Sequence, residues 1–273
     1  LVISGALVLA AVNLLAWVVS SERGEKESLQ TELKLAHAVQ TSLMPKICPP
    51  VEGFDISGQS FPAKEVGGDH FDYCYLGADK AVFGISVFDV SGKGLQAAMS
   101  AVFTSGAFIS EARRSESPAE IMSRLNTSVY RYTQRGHFVA FLFAMLDVEK
   151  KTMTFTNAGQ MKPLLRSGSN VSWLDAIGVT FPLGMTEYAT FEERTVALHP
   201  GDVLLLVTDG FTEAMNGTKE QYGMERLAEF VGKLAVGNLS PGQIVEAITN
   251  DIRTYVGGAA QHDDMTIVVV KAR

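Results

Sequence analysis

"FVAFLFAMLDVEKKTMTFTNAG", Phe138 to Gly159, decides the class of sheet in this chain. Residues 138–148 form a nearly unbroken apolar run. Residues 151–159 alternate threonine with Met153 and Phe155. Aromatic and β-branched side chains suit a pleated surface. Only Glu149 and Lys150 separate the runs. A parallel pair needs a crossover of a dozen or more residues, so the two runs must fold back as an antiparallel hairpin.

Outward from this hairpin, strands come in groups. "AVFGISVFDV" (81–90) and "DVLLLVTDG" (202–210) read as buried strands, and "DMTIVVVKA" (264–272) closes the chain as another. Short strands fit 163–166, 171–174 and 191–197. Helical periodicity runs from Leu95 to about Ala112. A second helix spans 117–133, with Ser117 as N-cap, Pro118 at the first position and Glu120 in the capping-box place. Two more fit 223–235 and 241–256, the latter opened by Ser240 and Pro241. Strands in runs with paired helices predict an α+β fold: antiparallel sheets with helices outside, not a doubly wound parallel sheet.

Toward the start, "LVISGALVLAAVNLLAWVVS" carries no charge before Glu22. About 20 apolar residues cross a bilayer, so residues 1–20 are expected to be a transmembrane helix. The chain opens on Leu1 and reads as part of a longer sensor protein. Residues 21–45 form a helical linker. Leu29, Leu33, Ala36, Gln40 and Leu43 follow a heptad seam with Gln40 as its polar interruption, which predicts a homodimer through residues 22–44. Pro45, Pro49 and Pro50 end that helix, and a globular domain is expected over 50–273.

The 273 residues carry a formal net charge of -7, which leaves no basic footprint for nucleic acid. Cys48 and Cys74 have no metal-type spacing and read as free thiols.

Acids mark the ends of the apolar runs. Asp89 ends "VFGISVFD", Asp209 ends "VLLLVTD", and Asp263 and Asp264 precede the last strand. Asp69 follows Gly67 and Gly68 in "AKEVGGDHFDY". A carboxylate at such a place is costly to bury unless paired or metal-bound. Converging carboxylates without a His or Cys cluster suit hard, oxygen-loving cations such as magnesium or manganese.

"PAKEVGGDHFD", "DVSGKGLQAAM", "TNAGQMKPLL", "FPLGM", "PGDVLLLVTDGFTEA" and "DDMTIVVV" occur in that order. In this register the chain, from about residue 35 to 273, resembles the SpoIIE/RsbU-like branch of the protein phosphatase 2C superfamily. The resemblance implies an α-β-β-α sandwich with two divalent cations, Mn2+ or Mg2+, at one end. It implies hydrolysis of phosphoserine or phosphothreonine through metal-bound water, on a STAS-type anti-sigma-factor antagonist in a bacterial partner-switching pathway. By the same resemblance Asp89 bridges both ions and the Val90 carbonyl is a ligand beside it. Asp69 lies on the second ion's side, and Asp209 and Asp263 complete the first ion's shell. Asp72 matches a recurrent family position, and Asp264 is the lesser partner of Asp263. Gln160 stands where the family usually has histidine after "NAG".

Three further residues bear on the site. His70 reads as an exposed spacer. Lys64 and Lys93 read as solvated lysines able to attract phosphate. Rival readings are a docking module that kept the fold without catalysis, and a nucleotide cyclase suggested by "GGDHF". The cyclase pattern fails because His70 replaces an acid, and the motif falls too soon after the proline break. A P-loop fails at "SVFDVSGKG", where Val87 stands for its first glycine. A membrane-anchored protein with a cytoplasmic phosphatase domain, switched through the linker helix, completes the expectation.

Overall fold

The computed structural model describes residues 2–77, 81–113, 117–133, 136–178 and 180–273, with the side chains of residues 2–12 and six others before residue 31 set aside. One long helix, α1 (Val2–Leu43), leads into β1 (Phe54–Phe61), β2 (His70–Leu76) and β3 (Val82–Val90). Next come α2 (Leu95–Ala112), α3 (Pro118–Tyr132), β4 (Val139–Asp147) and β5 (Thr152–Ala158). Then follow β6 (Leu164–Ser167), β7 (Asn170–Trp173), β8 (Arg194–Ala197) and β9 (Val203–Val207). The chain ends with α4 (Met224–Lys233), α5 (Pro241–Val256) and β10 (Met265–Ala272).

The expected hairpin is present: β4 and β5 pair antiparallel, with Phe143 opposite Thr156. Two five-stranded sheets result, in the orders β2-β3-β4-β5-β8 and β1-β10-β9-β6-β7. Every strand pairing is antiparallel. Phe71, Phe83, Ile85 and Phe155 of one sheet meet Phe54, Leu204, Leu206 and Val268 of the other in a core between the sheets. On the outer face of the first sheet, Phe88, Phe141 and Phe143 pack under Ala101, Phe108 and Leu125 of α2 and α3. On the outer face of the second, Leu205, Ile267 and Val269 pack under Leu227 of α4 and Ile244 and Ile248 of α5. The central strands are buried on both faces, which is why β3, β4, β9 and β10 read as apolar runs.

Helix starts follow their sequence signals. Ser240 and Gln243 complete a capping box on α5, and Ser117 Oγ accepts from the Glu120 amide at α3. Each cap contributes about 1 kcal/mol.

Two strands had no clear sequence signal. β1, "FDISGQSF", is half polar because it is an edge strand pairing only with β10. Its Gly58 lies against the facing sheet, where an added Cβ would meet the Phe71 and Tyr73 side chains at 2.4–2.6 Å. β2 starts at His70, inside what reads as a turn motif.

The N-terminal expectations change more. Residues 2–43 are one helix. Among the described residues no helix is long and apolar enough to cross a membrane, and the expected span at 1–20 lies largely over side chains outside the described set. The predicted seam turns inward in part. Gln40 is buried and Leu33 and Ala36 are half-buried on this chain's own domain, where α1 contacts α2. Leu43 of that seam stays exposed, together with Leu35 and Val39 outside it.

Candidate metal centre

Antiparallel register brings the acids to one end of the sandwich. β2 pairs with β3 so that His70 opposes Phe88, and Val90 N donates to Gly68 O at 3.2 Å just beyond that pair. Asp69 and Asp89 therefore belong to the same sheet end. In the other sheet, Val207 opposes Ile267. Asp209, in a single 3-10 turn after β9, and Asp263 and Asp264, before β10, share the corresponding end.

Thr208 joins the two halves. Its hydroxyl donates to Asp69 Oδ2 at 2.6 Å and accepts from the Thr266 amide at 2.9 Å. Asp264 fixes the glycine turn: Oδ1 accepts from Ala63 N and Oδ2 from Gly68 N, both at 2.8 Å. The two glycines have a steric reason. A Cβ at Gly67 would lie 2.4 Å from Asp264 Oδ2, and one at Gly68 would lie 2.6 Å from the Val90 carbonyl and 2.8 Å from Asp89 Oδ1. Backbone and carboxylate can approach this closely only with no side chain between them.

The electrostatics are those of like charges held together. Asp89 is pushed up to about 7, first by burial and then by Asp209, Asp263 and Asp264. Asp69 is wholly buried and lies well above the usual carboxylate range, because of burial and Asp89, with Thr208 opposing. Burial, then Glu213 and Asp263, raise Asp209. Burial raises Asp264 against the two amides it accepts from. Among the described residues no Lys, Arg or His forms an ion pair with these acids; the pairs lie elsewhere, as at Arg124–Glu111 and Arg131–Glu187.

No ion pair offsets this crowd among the described residues. The donors are all oxygens, the preference of magnesium and manganese, and the glycines leave the Val90 carbonyl open beside Asp89. The residues fit divalent cations. Among the described residues no three His, Cys, Asp or Glu side chains close on one ion.

A cavity of about 150 Å³ lies among Asp89, Val90, Asp263 and Asp264, with Lys64 and Lys93 also in its wall. A second, of about 310 Å³, lies behind the glycine turn between Asp69, Asp264 and the linker residues His37 and Gln40.

Two readings need correction. Asp72 is not with the other acids. Strand alternation turns it to the helix layer, where it accepts from Ser105 Oγ at 3.2 Å and from the Tyr73 amide at 2.7 Å. His70 is no exposed spacer; it is fully buried on the Phe88 ring, centroids 5.1 Å apart, and burial lowers its pKa to about 4. Asp264 organises the turn through its two amide contacts.

Gln160 has a structural place. Its Oε1 accepts from Met161 N at 2.8 Å and its Nε2 donates to Ala140 O at 3.4 Å. Ala140 is the β4 partner of Asp89, so Gln160 supports the strand behind the acid.

Sequence reading missed Thr208, Glu213 and the role of Gln40. The Gln40 amide donates to Gly67 O at 2.7 Å and accepts from Gly67 N at 3.4 Å. A polar residue breaking an apolar seam was the available signal.

Two antiparallel sheets between helix layers, with carboxylates from both sheets gathered at one end, make up the protein phosphatase 2C fold. The chain belongs to the Stage II sporulation protein E (SpoIIE) family, whose model matches residues 79–273. It is 25% identical over 253 residues to phosphoserine phosphatase RsbU of Bacillus subtilis (strain 168), covering 92% of this chain and 73% of that protein. Among solved structures, the SiaA-PP2C domain of Pseudomonas aeruginosa aligns with a TM-score of 0.78 at 23% identity, covering 92% of this chain and 98% of that one. The PP2C phosphatase domain of SpoIIE from Bacillus subtilis, with a fragment of its regulatory domain, aligns at 0.70 with 18% identity, covering 82% and 64%. Both structures share the fold.

Proposed function

We propose that this protein is a metal-dependent serine/threonine phosphoprotein phosphatase whose substrate is a STAS-type anti-sigma-factor antagonist in a partner-switching pathway. The observation that carries the reading is the group of carboxylates without counter-charge where the two sheets meet, in a chain of the SpoIIE family. The similarity to phosphoserine phosphatase RsbU supports the chemistry.

Asp69, Asp89, Asp209, Asp263 and the Val90 carbonyl would hold two divalent cations. When bound, such ions acidify a water and neutralise charge on the transferring phosphoryl group. The chain's own residues prepare that chemistry. Thr208 holds Asp69 in one orientation from the opposite sheet. Asp264 keeps the glycine turn against Asp89. Lys64 and Lys93, in the wall of the acid-lined cavity, offset the repulsion between the acids and a phosphate dianion.

The test is release of phosphate from phosphorylated STAS-domain proteins with manganese, beside Asp209→Asn. The reading expects turnover by the native chain and at least a hundredfold loss in the variant. Equal rates would show that these acids do not support hydrolysis, and absence of turnover in both would favour the docking module.

Membrane anchoring with a cytoplasmic domain rests on the apolar sequence of residues 1–20 alone, and fractionation of the expressed chain tests it. Pairing of linker helices draws support from exposed Leu35, Val39 and Leu43, spaced by four residues. Val39→Asp should convert a dimer to a monomer in sedimentation.

A further inference from the structure

A third cavity shares a wall with the acid site. It holds about 180 Å³ between β1, the turn after β9 and the end of α5. Its lining is mainly apolar, with Ala214, Ile252, Val256, Ala260 and Met265 among its residues. Ala214, Ile252 and Met265 are buried, so this surface is firm. The Gln261 side chain fixes the outer wall by donating to Phe61 O at 2.7 Å and to Asp263 O at 2.9 Å.

His262 and Asp263 line both this cavity and the one containing Asp89. Gly210 and Glu213 also line it, beside Asp209. The cavity therefore opens directly at the Asp209–Asp263 edge of the candidate metal centre. An extended peptide advances about 3.3–3.6 Å per residue. A chain whose phosphorylated residue sits among the acids can bring a side chain one or two positions away to this opening.

We infer that this cavity is a specificity pocket for one uncharged aliphatic side chain, leucine or methionine, flanking the phosphorylated residue of the protein substrate. The inference rests on the phosphatase reading and deepens it. Size and charge choose the occupant. An apolar cavity of about 150 Å³ accepts a benzene-sized guest, so this one has room for one branched or thioether side chain. Glu213 and Asp263 against the single guanidinium of Arg253 leave the lining with a net negative charge, which disfavours a flanking carboxylate.

The experiment uses the 273-residue chain with manganese and a set of phosphoserine peptides in an alanine background. A single leucine is placed at each of the two positions before and after the phosphoserine, and glutamate replaces it at the same places. One leucine position is expected to raise kcat/KM at least tenfold over the all-alanine peptide, and glutamate there to lower it. Ala260 is exposed, so Ala260→Phe fills the pocket from its open side without a change in the core. That variant should lose the leucine preference while hydrolysing an aryl phosphate within twofold of the native rate.

A flat peptide profile, or a preference that survives in Ala260→Phe, would overturn the pocket and leave the phosphatase reading standing. Failure of the native chain to hydrolyse the aryl phosphate would overturn the phosphatase reading, and the pocket with it.

Discussion

Asp89→Asn should make the metal-free protein more stable and make the metal-dependent enzyme inactive. The Asp89 pKa stands at about 7 against an ordinary 3.8, through burial and three neighbouring acids. At pH 8 the folded chain holds a carboxylate that its surroundings disfavour. At about 1.4 kcal/mol per pH unit, the difference of roughly three units corresponds to about 4 kcal/mol. Asparagine removes the charge but brings an amide that needs partners, so a net gain of about 2 kcal/mol is expected, or about 4–8 °C in Tm for a domain of this size. The sign follows from proton counting. Between pH 4 and 7 the folded state binds a proton at Asp89 that the unfolded chain has released, so stability rises as pH falls through that window. The advantage of the variant is therefore largest at pH 8 and shrinks toward pH 5. Thermal unfolding of chelator-treated protein at pH 8 and 5.5 measures both effects. A variant that melts lower than the native chain at pH 8, or whose gain is the same at both values, would refute the claim that Asp89 is held against the repulsion of its neighbours.

Thr208→Val removes the hydroxyl that donates to Asp69; a hydrogen bond to a charged group contributes about 1.5–3 kcal/mol, so the manganese concentration for half-maximal activity should rise about tenfold. Lys93→Met, in the wall of the acid-lined cavity, should raise KM for a phosphopeptide several-fold and weaken inhibition by inorganic phosphate, while the manganese-induced rise in Tm is unchanged. Asp72→Asn, at the interface of β2 with α2, should leave the manganese half-saturation point where it was.

The sheet class was legible because a two-residue link between apolar runs permits only an antiparallel return, and β4 and β5 pair as that link requires. The helices were legible where caps and periodicity agreed, as at Ser240 and Pro241. β1 was not, because an edge strand with Gly58 and several polar residues lacks the pattern of a buried one. The acids of the site were legible as a set because each ends or precedes an apolar strand. Their individual roles were less so. Asp72 and Asp69 are three residues apart, yet strand alternation turns Asp72 to the helix layer. His70 lies beside a polar turn in sequence, yet its register opposite Phe88 buries it. Gln40 interrupts a seam that the heptad pattern assigns to a second helix, and its partner is the glycine turn of its own domain. Such contacts, between residues 18 to 33 positions apart, have no local signature.

The claim on which the account depends is that distant acids form one site for two cations. Calorimetric titration of the chelator-treated chain with manganese tests it most directly. The account predicts two ions bound per chain by the native protein and one fewer in Asp209→Asn, with phosphatase activity lost alongside. A native chain that binds no manganese, or a variant that binds as many ions as the native protein and hydrolyses as fast, would contradict it.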